Sequence, residues 1–360
     1  MTTKLAVATA LMMLAGCFGD AATVPEDDEP VAPQRVAESV AEAHAGTDVR
    51  ASSSLRQRRI RLAVIGDINP GDSSTRYSIA GRIASSIRAW HPRAVAVVGD
   101  FQYPFGSCEA LVDQFDAVGW GRLMGKVIGA AGPTHDYQPS TTDALPYSKH
   151  MEGRCPGQTS PASLSARRWN RTIRPYEPHF VDLGAWTVIS MPSGQWRSEY
   201  AEAFGPAWTG GALTRWLSRA VNRAKARRDH VVVLAHEPYW TSSTDEHPAD
   251  EADAMKPWIR VLDRENVRLI LSGHQHNYER FRPQTASGKL NRRRGTQQLQ
   301  VSTGGVGLRA FTDRAPHSAV QHDTGYGWAR LTLKRSGAYK WRYVSVQGDR
   351  FGDASLRRAP

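Results

Sequence analysis

The residues best suited to chemistry lie in Gly273–Arg280, which reads GHQHNYER. Two histidines, His274 and His276, sit two apart behind a glycine, at the end of the apolar run Val267-Arg-Leu-Ile-Leu-Ser272. A strand that stops at Gly and then offers two imidazoles presents both at the carboxyl edge of a sheet, where open α/β sheets keep their sites. Paired imidazoles suit borderline metals such as Zn, Fe, Mn or Ni. Alone the pair is more often a loop with two polar rings than a metal site. The rest of the chain decides between the two.

Four further apolar runs end in the same way. Ile60–Ile65 is followed by Gly66-Asp67, and Ala94–Val98 by Gly99-Asp100. The stretch Gly121–Ile128 reads as a third strand and leads to His135, and Val231–Ala235 ends at His236. One Asp after a strand is ordinarily a turn or helix cap. Five metal-competent strand ends point instead to carboxylates and imidazoles converging on one edge. Such a set holds two cations, and a water shared between them loses its proton easily.

The elements that position these groups alternate. Helices are expected over Ser73–Trp90, around Cys108–Val118, over Gly211–Arg227 and over Met255–Arg264. The third places Leu213, Trp216, Leu217, Ala220 and Val221 on one face. A hairpin is expected from Phe180–Leu183 and Trp186–Ser190, with late strands near Leu299–Ser302, Gly327–Leu333 and Tyr339–Val346. Strands alternating with helices imply an α/β fold with helices outside a sheet or sandwich.

The N-terminus reads as a targeting segment. Lys4 precedes the short apolar run Leu5–Leu14, and Leu14-Ala15-Gly16-Cys17 resembles the lipobox of bacterial lipoproteins, in which the cysteine is lipidated. Residues 1–17 are thus expected to be a lipoprotein signal peptide, with Cys17 as the attachment point. An outer-membrane anchor facing the periplasm is the favoured location, and secretion behind an ordinary signal peptide is the alternative. Residues 18–57 read as a tether, because an acidic, Ala- and Ser-rich segment cannot bury enough surface to offset its ordering entropy. The folded body is expected over residues 58–350, with 351–360 as a tail. The net charge is +11, although residues 18–50 hold eight acids and only two arginines. The body is therefore basic and favours anionic partners, without requiring nucleic acid. With Cys17 consumed, an exported chain keeps Cys108 and Cys155, which form either a disulfide or two buried thiols.

The ordered set GD, GDFQY, THDY, HEPYW and GHQHNYER resembles the calcineurin-like metallophosphoesterase superfamily, and within it the purple acid phosphatases and related bacterial alkaline phosphatase-like enzymes. The resemblance covers roughly residues 60–346. It implies a four-layer α-β-β-α sandwich of two mixed sheets and a two-metal site of Fe, Zn, Mn or similar ions. By that resemblance Asp67, Tyr103 and His276 bind the first metal, Asp100 bridges, and His236 and His274 bind the second. Tyr103 has a competing reading as a packed aromatic. His135 would face the leaving group and, with Asp136, forms the expected catalytic pair; a polar loop residue is the plainer reading of His135. His247 lies near the family's substrate-binding histidines. Asn69 contacts metal or phosphate, or merely shapes a turn. One departure stands out: Pro133-Thr134-His135-Asp136 carries Thr134 where the family has Asn, whose amide completes the second metal's shell. Thr134 as a ligand should weaken that site.

The resemblance implies phosphoester hydrolysis, with monoesters favoured and a bound hydroxide attacking phosphorus in line. A phosphodiesterase is one alternative. A degenerate lipoprotein that captures a phosphorylated ligand is another, and Thr134 favours it. A third is a surface protein that holds anionic polymers through Asn291–Arg294. The expected partners are a phosphorylated small molecule and a membrane, with no specific nucleic acid.

Overall fold

A computed structural model of the chain describes residues 59–68, 78–104, 106–131, 135–136, 146–169, 177–193, 211–243, 249–348 and 350–358. The signal segment with Cys17, the tether up to residue 57, Asn69, Thr134 and His247 lie outside the described residues. None of the helices among the described residues is long and apolar enough to cross a membrane.

Two sheets form the body. The first holds β1 (Arg59–Ile65), β2 (Ala94–Val97), β3 (Val127–Gly129), β11 (Gly327–Lys334), β12 (Tyr339–Ser345) and β13 (Ala354–Arg357), in the order β13-β12-β11-β1-β2-β3. The second holds β4 (His179–Asp182), β5 (Trp186–Met191), β6 (His230–Ala235), β7 (Leu269–Ser272), β8 (Tyr278–Phe281), β9 (Gln297–Val301) and β10 (Ser318–His322), in the order β10-β8-β9-β7-β6-β5-β4. Both sheets are mixed. β1, β2 and β3 run parallel, as do β5, β6, β7 and β9, and antiparallel strands complete each sheet.

The apolar runs dictate this arrangement. Val64, Val95 and Val97 of one sheet and Val188, Val232, Leu234, Leu269 and Leu271 of the other are buried in one core cluster. Near-continuous burial along β2, β5 and β7 is the pattern of strands covered on both faces. α1 (Ile79–Trp90) buries Ala80, Ile83, Ala84 and Ile87, and Ser78 caps it by accepting from the Gly81 N–H at 3.1 Å. It lies by the first sheet, where Ser86 accepts a hydrogen bond from the Trp328 indole and Trp90 packs on Trp328. α2 (Cys108–Ala110) runs on as a π-helical turn, Leu111–Asp116. α3 (Pro146–Met151) and α4 (Leu164–Trp169) follow. α5 (Gly211–Ala226) buries Leu213, Trp216, Leu217, Ala220 and Val221, and packs with α6 (Ala249–Arg264) beside the second sheet. Helices outside two facing sheets make the α-β-β-α sandwich.

Several boundaries differ from the sequence reading. The strand expected over Gly121–Ile128 is confined to Val127–Gly129, because Trp120–Arg122 and Met124–Lys126 close into 3-10 turns. α1 spans Ile79–Trp90 with Ser78 as its cap, and residues 73–77 of the expected helix lie outside the described residues. α6 starts at Ala249 rather than Met255; its acidic first turns and internal Pro257 hide the helical period. The segment read as a C-terminal tail contains β13, which pairs with β12. Arg357 fastens it by donating to the carbonyls of Arg268 and Gly295. Cys108 and Cys155 are joined in a disulfide that ties α2 to the turn after α3.

Candidate metal centre

The parallel strands of both sheets bring their carboxyl ends to one place. Asp67 follows β1, Asp100 follows β2, His236 follows β6, and His274 and His276 follow β7. Links between the sheets hold the two edges together. The His274 N–H donates to the Asp67 carboxylate, at 3.2 Å to Oδ1 and 3.0 Å to Oδ2. His236 Nδ1 lies 2.9 Å from the Val98 carbonyl of the first sheet.

The backbone around these groups is unusual. Asp67, Asp100, His274 and His276 all adopt positive φ, at 58°, 50°, 73° and 51°. Non-glycine residues rarely enter this region, and its occurrence at four ligand-type residues marks a site whose geometry the surrounding fold enforces. Gly99 is required for the same reason: a Cβ there would lie 2.1 Å from His236 Nδ1. At Gly273 a Cβ would lie 2.7 Å from Asp67 Oδ2.

Donor atoms converge in two overlapping groups. Ligand atoms of Asp67, Asp100 and His236 all lie within 4.8 Å of one another, as do those of His236, Glu237 and His274. The Tyr103 hydroxyl lies 3.1 Å from Asp67 Oδ1, 2.8 Å from Asp100 Oδ2 and 3.1 Å from His276 Nε2. A phenol has one proton, so it cannot donate to both carboxylates at once. The cluster is short of positive charge.

Two imidazoles are oriented to supply lone pairs. A carbonyl only accepts, so His236 Nδ1 carries its proton toward Val98 O, and His276 Nδ1 carries its proton toward Gly307 O at 3.1 Å. Each ring therefore turns Nε2 inward, His236 toward Asp100 Oδ2 at 3.3 Å and His276 toward Asp67 Oδ1 at 3.6 Å. Metal-binding histidines are characteristically held this way. Carboxylates, phenol and imidazole Nε2 atoms form a mixed O/N set that fits Fe, Zn or Mn.

Protein charges show the same need for a cation. Burial alone would raise the Asp100 carboxyl, but the adjacent His236, and then His135, hold it well below its ordinary value. Burial opposes a charged His236, yet the Asp100 carboxylate raises it. Burial pushes the Tyr103 phenol well up, and the carboxylates of Asp100 and Asp67 push it further.

His135 stands at the half-buried mouth. Its N–H donates to Asp100 Oδ1 at 2.9 Å, its ring packs 4.3 Å from that of Tyr103, and Nδ1 lies 3.1 Å from the Pro104 carbonyl. Asp136, expected beside it as catalytic, is placed differently. Its buried carboxylate accepts the Phe101 N–H at 3.0 and 2.9 Å and the Gln102 N–H at 3.2 Å. It braces the loop that carries Asp100 and Tyr103.

Sequence reasoning passed over three contributors. Ser302 Oγ donates to Asp67 Oδ2 and accepts the His276 N–H at 2.8 Å. Arg309 donates its N–H to the His276 carbonyl at 3.2 Å. Glu237, adjacent to His236, is fully buried. Ser302 and Arg309 follow β9 and carry no motif. The HEP tripeptide was the available signal for Glu237.

Two mixed sheets with a carboxylate, phenol and imidazole set at their joined edges are the architecture of the calcineurin-like phosphoesterases. The sequence matches the calcineurin-like phosphoesterase family over residues 60–278, and the chain belongs to that family. An uncharacterized protein of Mycobacterium tuberculosis is 30% identical over 139 residues, 33% of this chain and 26% of that protein. "Probable inactive purple acid phosphatase 1" of Arabidopsis thaliana is 30% identical over 143 residues, 36% of this chain and 23% of that one. The chain thus matches about a quarter of the length of these relatives. Among solved structures, the purple acid phosphatase PPD1 from yellow lupin (Lupinus luteus) seeds superposes with a TM-score of 0.57 at 16% identity, covering 83% of this chain and 53% of that one. This last likeness is one of fold.

Proposed function

We propose that the protein is a metal-dependent phosphoester hydrolase that favours monoesters. The observation that carries this reading is the single Tyr103 hydroxyl set between the Asp67 and Asp100 carboxylates, with His236 and His276 turning Nε2 inward. Asp67, Tyr103 and His276 would hold one cation, His236 and His274 a second, and Asp100 would bridge. When bound, the two cations would neutralise phosphate charge and make hydroxide available at neutral pH.

The remaining work falls to the chain's own side chains. Val98 O and Gly307 O keep the two imidazoles in the tautomer that presents Nε2. Asp136 and Ser302 hold the Asp100 loop and the Asp67 carboxylate in place. The Pro104 carbonyl engages His135 Nδ1, so His135 Nε2 is free to deliver a proton to a departing alkoxide from the imidazolium form. A monoester dianion gains more from a doubly cationic site than a diester monoanion does, which is the basis for the substrate preference.

Metal-restored turnover is the test. Hydrolysis of an aryl phosphate monoester and a diester would be followed after chelation and resupply of Mn, Zn or Fe. Monoester turnover restored by metal supports the proposal. Faster diester turnover would make the protein a phosphodiesterase. A folded protein inactive with every metal would favour the second reading, a lipoprotein that captures a phosphorylated ligand. Thr134 and the similarity to a relative described as probably inactive support that reading.

We also propose that Cys17 is lipidated and anchors the chain to the cell envelope, facing the periplasm, on the strength of Leu14-Ala15-Gly16-Cys17. Incorporation of labelled palmitate that persists in Cys17→Ala would sink this.

A further inference from the structure

We propose that Glu237 is itself a ligand of the second cation, adding a carboxylate to the His236 and His274 imidazoles; this rests on the metal-dependent reading above. Glu237 directly follows His236 at the end of β6 and is fully buried. One of its carboxylate oxygens, an imidazole nitrogen of His236 and one of His274 lie mutually within 4.8 Å. That group is distinct from the one formed by Asp67, Asp100 and His236, and the two share only His236. A carboxylate with two imidazoles is a complete set of protein donors for a cation such as Zn.

The carboxylate is also aimed. β5 and β6 run parallel with Met191 opposite Ala235, which carries Ser193 alongside Glu237. Ser193 Oγ donates to Glu237 Oε2 and accepts the Glu237 N–H at 3.0 Å. This reciprocal pair fixes Oε2 and with it the direction of the whole carboxylate. Hydrogen bonds of this kind orient metal-ligating carboxylates. The inference reverses the sequence expectation of a weak second site. An anionic donor from position 237 offsets the neutral hydroxyl at Thr134.

The test counts metal directly. Wild type, Glu237→Gln and Glu237→Asp would be loaded with Zn, desalted against a competing chelator and assayed for metal per chain, with thermal unfolding measured with and without Zn. Wild type should retain two ions. Glu237→Gln should retain one, its second ion held roughly tenfold or more weakly, and Glu237→Asp should fall between. A folded Glu237→Gln protein that keeps two ions at wild-type affinity overturns the proposal alone. Wild type that binds no ion sinks the metal-dependent reading and this proposal with it. If Glu237→Gln does not fold, Ser193→Ala decides: it frees the carboxylate without removing it. Weakening of one ion only supports the assignment, and unchanged affinity for both overturns it.

Discussion

His236 Nε2 lies 3.3 Å from Asp100 Oδ2, while the other nitrogen of the same ring is tied to Val98 O at 2.9 Å. One imidazole from the second sheet is thereby locked to two points on the first, the β2 terminus and the loop after it. The ring is at once a strut between sheets and the neighbour of the Asp100 carboxylate, for which we propose the bridging role.

Asp100→Asn should lower metal-dependent turnover of an aryl phosphate at least about a hundredfold, roughly 3 kcal/mol in activation free energy. The substitution keeps shape but removes the charge expected to bridge two cations. Steady-state kinetics with saturating metal would check it, and near-normal turnover would sink the two-metal assignment.

Gly99→Ala should be more damaging than any surface change. The added methyl would meet His236 Nδ1 at 2.1 Å, and Gly99 itself has φ of 118°. The ring must shift, which breaks its bond to Val98 O. We expect a stability loss of about 2 kcal/mol or more, together with reduced Zn retention. Urea unfolding and metal analysis on the same preparation would show both, and a fully stable, metal-loaded variant would contradict the geometry.

Asp136 can be assigned by its pH behaviour. If it braces the loop, Asp136→Ala strands the Phe101 and Gln102 amides and costs about 1–3 kcal/mol for each buried donor left unmade. Asp136→Asn retains an accepting oxygen and should restore part of the stability, with both limbs of the pH–rate profile intact. Loss of one limb in Asp136→Asn would instead make it an acid–base group.

His179 should make the fold acid-sensitive. Burial pulls its imidazole from 6.5 down to about 4. The folded form therefore keeps the ring neutral while the unfolded chain takes up a proton. Stability is full above pH 6.5, falls as pH drops from 6.5 to 4, and loses nothing more from this group below that. The loss by pH 4.5 should be roughly 2 kcal/mol relative to pH 7. Denaturant unfolding of wild type and His179→Gln at both values is the check: the two should converge in stability as pH falls, and a constant difference between them would show that His179 is not responsible.

The Cys108–Cys155 disulfide closes a segment of sequence separation 47. Loop entropy alone assigns it up to about 4 kcal/mol. Cys108→Ser with Cys155→Ser should lower the unfolding midpoint markedly, and a midpoint matching the oxidised wild type would show that the segment is held by packing instead.

Much of this molecule is legible in one dimension. Runs such as Val231–Ala235 must be strands buried on both faces, and the polar residue that ends each run must emerge at a sheet edge. Period and burial are local properties, so the alternation of strands and helices, the strand ends that carry Asp67, Asp100, His236 and His274, and the ordered motifs could be read directly. The short, polar edge strands could not. β13 and β10 have little apolar signal and exist because β12 and β8 offer unpaired backbone groups to them.

The site divides in the same way. Residue types and order determined that Asp67, Asp100, Tyr103, His236, His274 and His276 could act together. Tertiary structure alone decided which nitrogen of His236 and His276 faces inward, because the deciding carbonyls, Val98 O and Gly307 O, come from remote chain segments. It also turned Asp136 toward backbone amides and set Glu237 beside His274. Side-chain direction at a strand end depends on what the neighbouring strand presents, and strand neighbours are chosen by the packing of the whole core.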